Sequence, residues 1–216
     1  MMHRTRGTGL DGGGGAILKS AVIVAGTMIF AIAASSGAFA QTTFREILVR
    51  AQARAAVADE ASGRLFVAAY DTGEALEIDP VTGSAKASVA VGGGPSALAL
   101  ARDGAVLACV NRLANAVSLV SVRDMTLVAT VPCGKSPADI VALPGGGFAV
   151  ANSFSDSVTI IDVRHPASLV TIENVSGVPS AIAASGDSFA VAAHVPPALH
   201  IFRAGSRMPD VTVPLP

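Results

Sequence analysis

Val, Leu and Ile with interspersed Ser, Thr or Asp run through "AVSLVSV", residues 116–122, and "SVTIIDV", residues 157–163, with polar and apolar positions alternating over stretches such as residues 157–160. A period of two puts one side-chain set on each face of an extended chain, so both segments predict strands. Other runs, such as "FAVA" at residues 148–151, are apolar throughout, the pattern of a strand covered on both faces. Turn residues separate the runs. Arg102-Asp103-Gly104 and Pro144-Gly145-Gly146-Gly147 supply glycine, which adopts the positive φ of a tight turn without steric cost. One segment reads two ways. Thr43 and Glu46 have capping-box spacing at the head of the alanine-rich "TFREILVRAQARAAVA", residues 43–58, which permits a helix. The spacing of the later strands instead makes "RAAVA", residues 54–58, a strand. That register is followed from Arg54 on, and residues 42–50 stay open.

The strand pattern recurs. Pro95, Pro137 and Pro179 stand 42 residues apart, each followed by a short apolar run. Asn111, Asn152 and Ala193 end a second run in the same register, and Asp79, Ser121, Asp162 and Arg203 end a third. Four units of four strands cover about residues 52–216. Repetition at 40–45 residues is the signature of propellers, in which each four-stranded antiparallel sheet is one blade. The expected fold is therefore all-β, a β-propeller built from four four-stranded antiparallel blades.

"FAVANSFSDSVTIIDV" (148–163) followed by "LVTIENVSGVPSAIA" (169–183) resembles the YVTN-type β-propeller repeat family. Units two and three carry the pattern well. Unit one has Ala69 in the Asn slot, and unit four has His194 beside that slot and Arg203 in the Asp slot. Members of the family usually close with about seven blades, so the resemblance leaves a shortfall. Tight closure, pairing of two chains into an eight-blade ring, or truncation would each account for it. The expectation is an open arc, or half of a larger ring, completed by a homodimer or another protein partner.

The first forty residues read as an address. Arg4, Arg6 and Lys19 precede an apolar stretch at 21–34, and Ala38-Phe39-Ala40 is a cleavage signature before Gln41. The apolar stretch is short for a bilayer-spanning helix. Residues 1–40 are thus expected to be a secretory signal peptide, 41–51 a lead-in, and 52–216 the blades. The product would be periplasmic or secreted, with no membrane attachment after cleavage. "GGGGAILKS" (12–20) has Leu18 where a phosphate-binding loop needs glycine. Without the leader, 12 basic and 15 acidic residues remain, a balance that gives no electrostatic footprint for nucleic acid.

Candidate chemistry is sparse. The Asp79, Ser121, Asp162 and Arg203 slot reads as a turn-holding position rather than a carboxylate ring, since two of its four members are not acids. Asp71, Asn111, Arg112, Asn152, Ser153 and His194 fall at the loop after the second strand of their units, on one face of the blades, and are the candidate ligand-binding residues. The Asn residues have an alternative role there, satisfying backbone groups at a strand end. His165, His194 and His200 have no partner at metal-ligand spacing. Cys109 and Cys133 lie two strands apart and read as unpaired thiols. Ser136 and Asp139 sit close together, yet in the repeated Gly–Pro turn. No catalytic residue, metal or cofactor is nominated. The first reading is an exported non-enzymatic binding or scaffold module. Similarity to the YVTN-type propellers implies an alternative, a lactonase-like hydrolase or an accessory subunit of a periplasmic dehydrogenase. A metal-using lactonase needs several acids near the axis, and Asp139 is the one acid in the expected innermost strands.

Overall fold

The computed structural model describes residues 17–24, 27–33, 42–48, 51–203 and 205–216. Three strands come first: β1 (Ile17–Val24), β2 (Thr27–Ala33) and β3 (Thr42–Leu48), an antiparallel sheet in that order. Arg4, Arg6 and the Ala38-Phe39-Ala40 cleavage signature lie outside the described residues, while Lys19 falls in β1. Strands at Thr42–Leu48 and Ala53–Asp59 stand where a helix over residues 43–58 was permitted. Thr42, Thr43 and Ile47 are β-branched, and long-range pairing with β2 outweighs the local alanine content.

Four blades follow, each a meander of adjacent antiparallel strands. Blade one holds β4 (Ala53–Asp59), β5 (Arg64–Ala69), β6 (Glu74–Ile78) and β7 (Ala85–Ala90). Blade two holds β8 (Pro95–Leu100), β9 (Val106–Asn111), β10 (Ala116–Ser121) and β11 (Thr126–Pro132). Blade three holds β12 (Pro137–Leu143), β13 (Gly147–Asn152), β14 (Ser157–Asp162) and the short β15 (Val170–Ile172). Blade four holds β16 (Pro179–Ser185), β17 (Ser188–His194), β18 (Pro197–Arg203) and β19 (Val211–Pro214).

The recurring proline now has a cause. The first strand of every blade shifts register just after its first residue, at Ala53/Ala55, Pro95/Ala97, Pro137/Asp139 and Pro179/Ala181. Proline has no N–H for a ladder and belongs at a strand start beside a bulge.

First strands stack in chain order, β4 against β8, β8 against β12 and β12 against β16, with β1 against β4. Among the described residues no contact of that extent joins β16 back to β4, so the four blades form an open arc. The seams between blades are apolar. Ala97, Ala99, Ala108, Val110, Val117 and Leu119 of blade two meet Ile140, Phe148, Val150 and Ile161 of blade three. Mostly small side chains on the leading face of blade two receive larger ones from the trailing face of blade three.

Candidate functional site

In all four blades the loop after the second strand is clipped to the linker that enters that blade, in blade one by the Tyr70 N–H donating to the Gln52 carbonyl at 2.9 Å. The Arg112 N–H donates to the Gly94 carbonyl at 3.0 Å and the Leu113 N–H to Gly93 at 3.3 Å. One blade on, Ser153 donates to Ser136 at 3.1 Å and Phe154 to Lys135 at 3.1 Å, and in blade four His194 and Val195 both donate to Gly177. Side chains reinforce the clip: Asn115 Oδ1 accepts from the Ser136 N–H at 2.8 Å, and Asp156 Oδ1 from the Val178 N–H at 3.0 Å. The linker residue before each proline takes a left-handed φ, 66° at Gly94, 50° at Ser136 and 59° at Val178. A Cβ on Gly94 would lie 2.7 Å from Leu113 and 3.1 Å from Tyr70, so glycine is needed there for space as well as for φ. These bonds fix the loop tips on one face of the arc.

The six candidate binding residues divide by depth. Asp71, Arg112 and His194 are exposed on the loop face. The Asp71 carboxylate accepts the Gln52 N–H at 2.9 Å, and Arg112 Nε donates to Ser136 Oγ at 3.1 Å. Asn111 and Asn152 are fully buried and Ser153 nearly so. Asn111 Nδ2 donates to the Val91 carbonyl at 2.7 Å and to Ser118 Oγ at 2.9 Å, tying blade two to the linker before it. Asn152 Nδ2 donates to Thr159 Oγ1 at 2.9 Å, and Ser153 Oγ to the Pro179 carbonyl at 2.6 Å, reaching into blade four. The Asn111 role is the strand-end backbone role. The Oδ1 atoms of both asparagines are buried without a protein partner.

The sequence reading missed the residues one position further on. Leu113, Phe154 and Val195 are 68%, 73% and 71% exposed at equivalent loop tips of three successive blades. The available signal was an apolar residue two places past the strand-end slot in three of the four units. Arg112 and the exposed Lys135 stand beside this row. In blade one, Tyr70 packs under Arg54, whose guanidinium lies 4.9 Å from the ring centre.

The remaining candidates are structural. Asp79 Oδ1 accepts the Thr82 and Val81 N–H groups, and these bonds hold its carboxyl below the usual range. Asp162 is lowered by the Arg164 N–H and by His165. In blade two Ser121 fills the slot and helps to hold Asp124 low, together with Thr126. In blade four the Arg203 N–H donates to Asp210 Oδ2 at 2.7 Å. His200 is buried, its Nε2 donating to the Ser176 carbonyl at 3.0 Å and its Nδ1 accepting from Thr212. Asp139 joins two blades: Oδ1 accepts the Ile140 N–H at 2.9 Å and Oδ2 the Ile182 N–H at 3.0 Å. Cys109 and Cys133 are free thiols, and burial pushes both up to about 12, away from nucleophilic thiolate. Among the described residues no three His, Cys, Asp or Glu side chains converge as a metal site. On the opposite face a cleft of about 280 Å³ opens between blades two and three, edged by Arg102, Asp103, Gly145 and Arg164.

A family model described as "Lactonase, 7-bladed beta-propeller" matches residues 38–183. Among solved structures, Kuenenia stuttgartiensis hydrazine synthase is similar at a TM-score of 0.70 and 20% identity, over 76% of this chain and 49% of that one. At that identity the likeness concerns the fold, and the chain spans about half the length of that structure. No curated protein matches.

Proposed function

The chain belongs to the lactonase family of seven-bladed β-propellers, and on that premise we propose that it is an exported propeller arc that binds a protein partner through its loop face, without hydrolytic chemistry of its own. One observation carries the reading. Leu113, Phe154 and Val195 stand exposed at equivalent tips, held there by repeated backbone clips, with Arg112 and Lys135 beside them. Large apolar side chains left in water in register are the mark of an interaction surface, and the neighbouring cations favour a partner that carries acidic groups around an apolar centre.

The family itself favours a second reading, a lactonase-like hydrolase. Against it, Asp139 has both carboxylate oxygens engaged by main-chain N–H groups, and Ser136 and Ser153 face an arginine and a carbonyl rather than a base. One experiment separates the two. Displayed peptides rich in aromatic and acidic residues are selected on the exported chain, and the same preparation is assayed on a lactone panel. Binding that drops at least tenfold in Leu113→Asp and Phe154→Asp supports the first reading. Turnover above blank that disappears in a folded Asp139→Asn protein supports the second.

A further inference from the structure

The row of loop tips has a spacing and a charge order as well as apolar side chains. Leu113, Phe154 and Val195 belong to blades two, three and four, which packed apolar seams join. Sheets packed face to face stand about 10 Å apart, so equivalent tips of successive blades recur at about that interval.

The two intervals carry opposite charge. Between Leu113 and Phe154 the surface is basic. Exposed Arg112 reaches forward from blade two, its Nε donating to Ser136 Oγ at 3.1 Å in the linker that enters blade three. Exposed Lys135 lies in the same linker, where its carbonyl accepts the Phe154 N–H at 3.1 Å. Among the described residues neither cation takes part in an ion pair. Between Phe154 and Val195 both of these slots are neutral, with Ser153 in place of Arg112 and Gly177 in place of Lys135. The charge there is the exposed Asp156, whose Oδ1 accepts the Val178 N–H of the linker entering blade four at 3.0 Å. Neutral Asn115 fills the Asp156 slot one blade earlier. Along the face the order is therefore apolar, basic, apolar, acidic, apolar.

An α-helix matches that order in length and in facing. Seven residues rise about 10.5 Å and return to the same side, and the residues three and four places on from an anchor lie between the two on that side. An extended strand offers same-side residues at about 7 and 13 Å. A polyproline II helix repeats at about 9 Å, yet it puts no side chain between its same-side anchors to meet Arg112, Lys135 or Asp156.

We propose that the loop face binds an amphipathic helix of a protein partner, with apolar anchors at i, i+7 and i+14 on the Leu113, Phe154 and Val195 tips, acids at i+3 and i+4 over Arg112 and Lys135, and bases at i+10 and i+11 over Asp156. The inference rests on the loop-face reading and gives that partner a shape and a charge order. Because the anchors are evenly spaced, the helix can run either way along the row, provided that its acidic half covers Arg112.

The test uses the full chain and three labelled peptides of about 18 residues, long enough for the two helical intervals. The first has Leu at i, i+7 and i+14, Glu at i+3 and i+4, and Lys at i+10 and i+11. The second has the same composition with one Glu and one Lys in each interval, which erases the charge order in both directions. The third is proline-rich with Leu at every third residue. Binding is read by fluorescence anisotropy and helix gain by circular dichroism, which is sensitive here because the described residues form no helix. The first peptide should bind at least tenfold more tightly than either of the others and gain helix on binding. Lys135→Glu should weaken it at least fivefold, and Lys135→Gln, the milder change, should act in the same direction. Equal binding of the first and second peptides, tighter binding of the proline-rich one, or binding without helix gain overturns the helix; where Leu113→Asp still removes that binding, the loop-face reading stands. No binding of the first peptide overturns the helix alone. Displayed binders indifferent to Leu113→Asp and Phe154→Asp overturn the loop-face reading and the helix with it.

Discussion

Asp139 shows how much one side chain can hold. It accepts an N–H from its own strand and another from the next blade's first strand, so truncation orphans two donors near a seam. Asp139→Ala is expected to lower unfolding stability by about 1–3 kcal/mol in a denaturant titration, with Asn, which keeps one acceptor oxygen, in between. The turn carboxylates make a pH prediction. Asp79, Asp124 and Asp162 have folded pKa values below the ordinary 3.8, so the folded state binds fewer protons than the unfolded state in that range. Their stabilisation is fully present above about pH 4 and is lost as pH falls through the depressed values. Melting temperature should therefore be insensitive to these groups from pH 5 to 7 and should fall between pH 4 and 2, less steeply in Asp79→Asn. The thiols predict a kinetic outcome. With Cys109 and Cys133 pushed up to about 12, alkylation at pH 8 should be slow in the native protein and rapid in denaturant, read by mass spectrometry.

Linkers and strands carry the repeat. Val178 occupies at φ 59° the position that Gly94 fills in blade two. A β-branched residue in the left-handed region costs about 1–2 kcal/mol, and glycine's added unfolded-state entropy returns only part of that. Val178→Gly should raise stability by roughly 0.5–1 kcal/mol in thermal melts, while Gly94→Val should destabilise through both its φ and its clash with Leu113. At this scale the sequence was most informative. Alternating strand runs and glycine-containing turns repeating at 41–42 residues outlined the blades, with prolines marking the start of blades two to four, because each blade repeats its own local chemistry. Thr42–Leu48 was ambiguous, since its strand form depends on pairing with a segment distant in register. The candidate site was legible in place but not in depth. The Asn slot was found, yet a strand end gives no sign of whether Asn111 and Asn152 face solvent or the seam. Leu113, Phe154 and Val195 were overlooked because apolar residues ordinarily signal core, and only the folded loops turn them outward.

The arc as a whole is a one-dimensional stack, each blade held by its neighbours alone. The loop-face row contributes no seam, so Leu113→Asp and Phe154→Asp should leave the melting temperature within about 2 °C of the parent while abolishing peptide binding. Blade four has one seam where blades two and three have two, and β19, all of whose residues are exposed, pairs over four residues. In a stack governed by nearest-neighbour terms, such an end opens before the middle does. Amide hydrogens of β17 and β18 should thus exchange with deuterium faster than those of β9 and β10 in an isolated chain. Any sheet seated on blade four's leading face would erase that gradient, so the isotope pattern of blade four would report whether that face is covered.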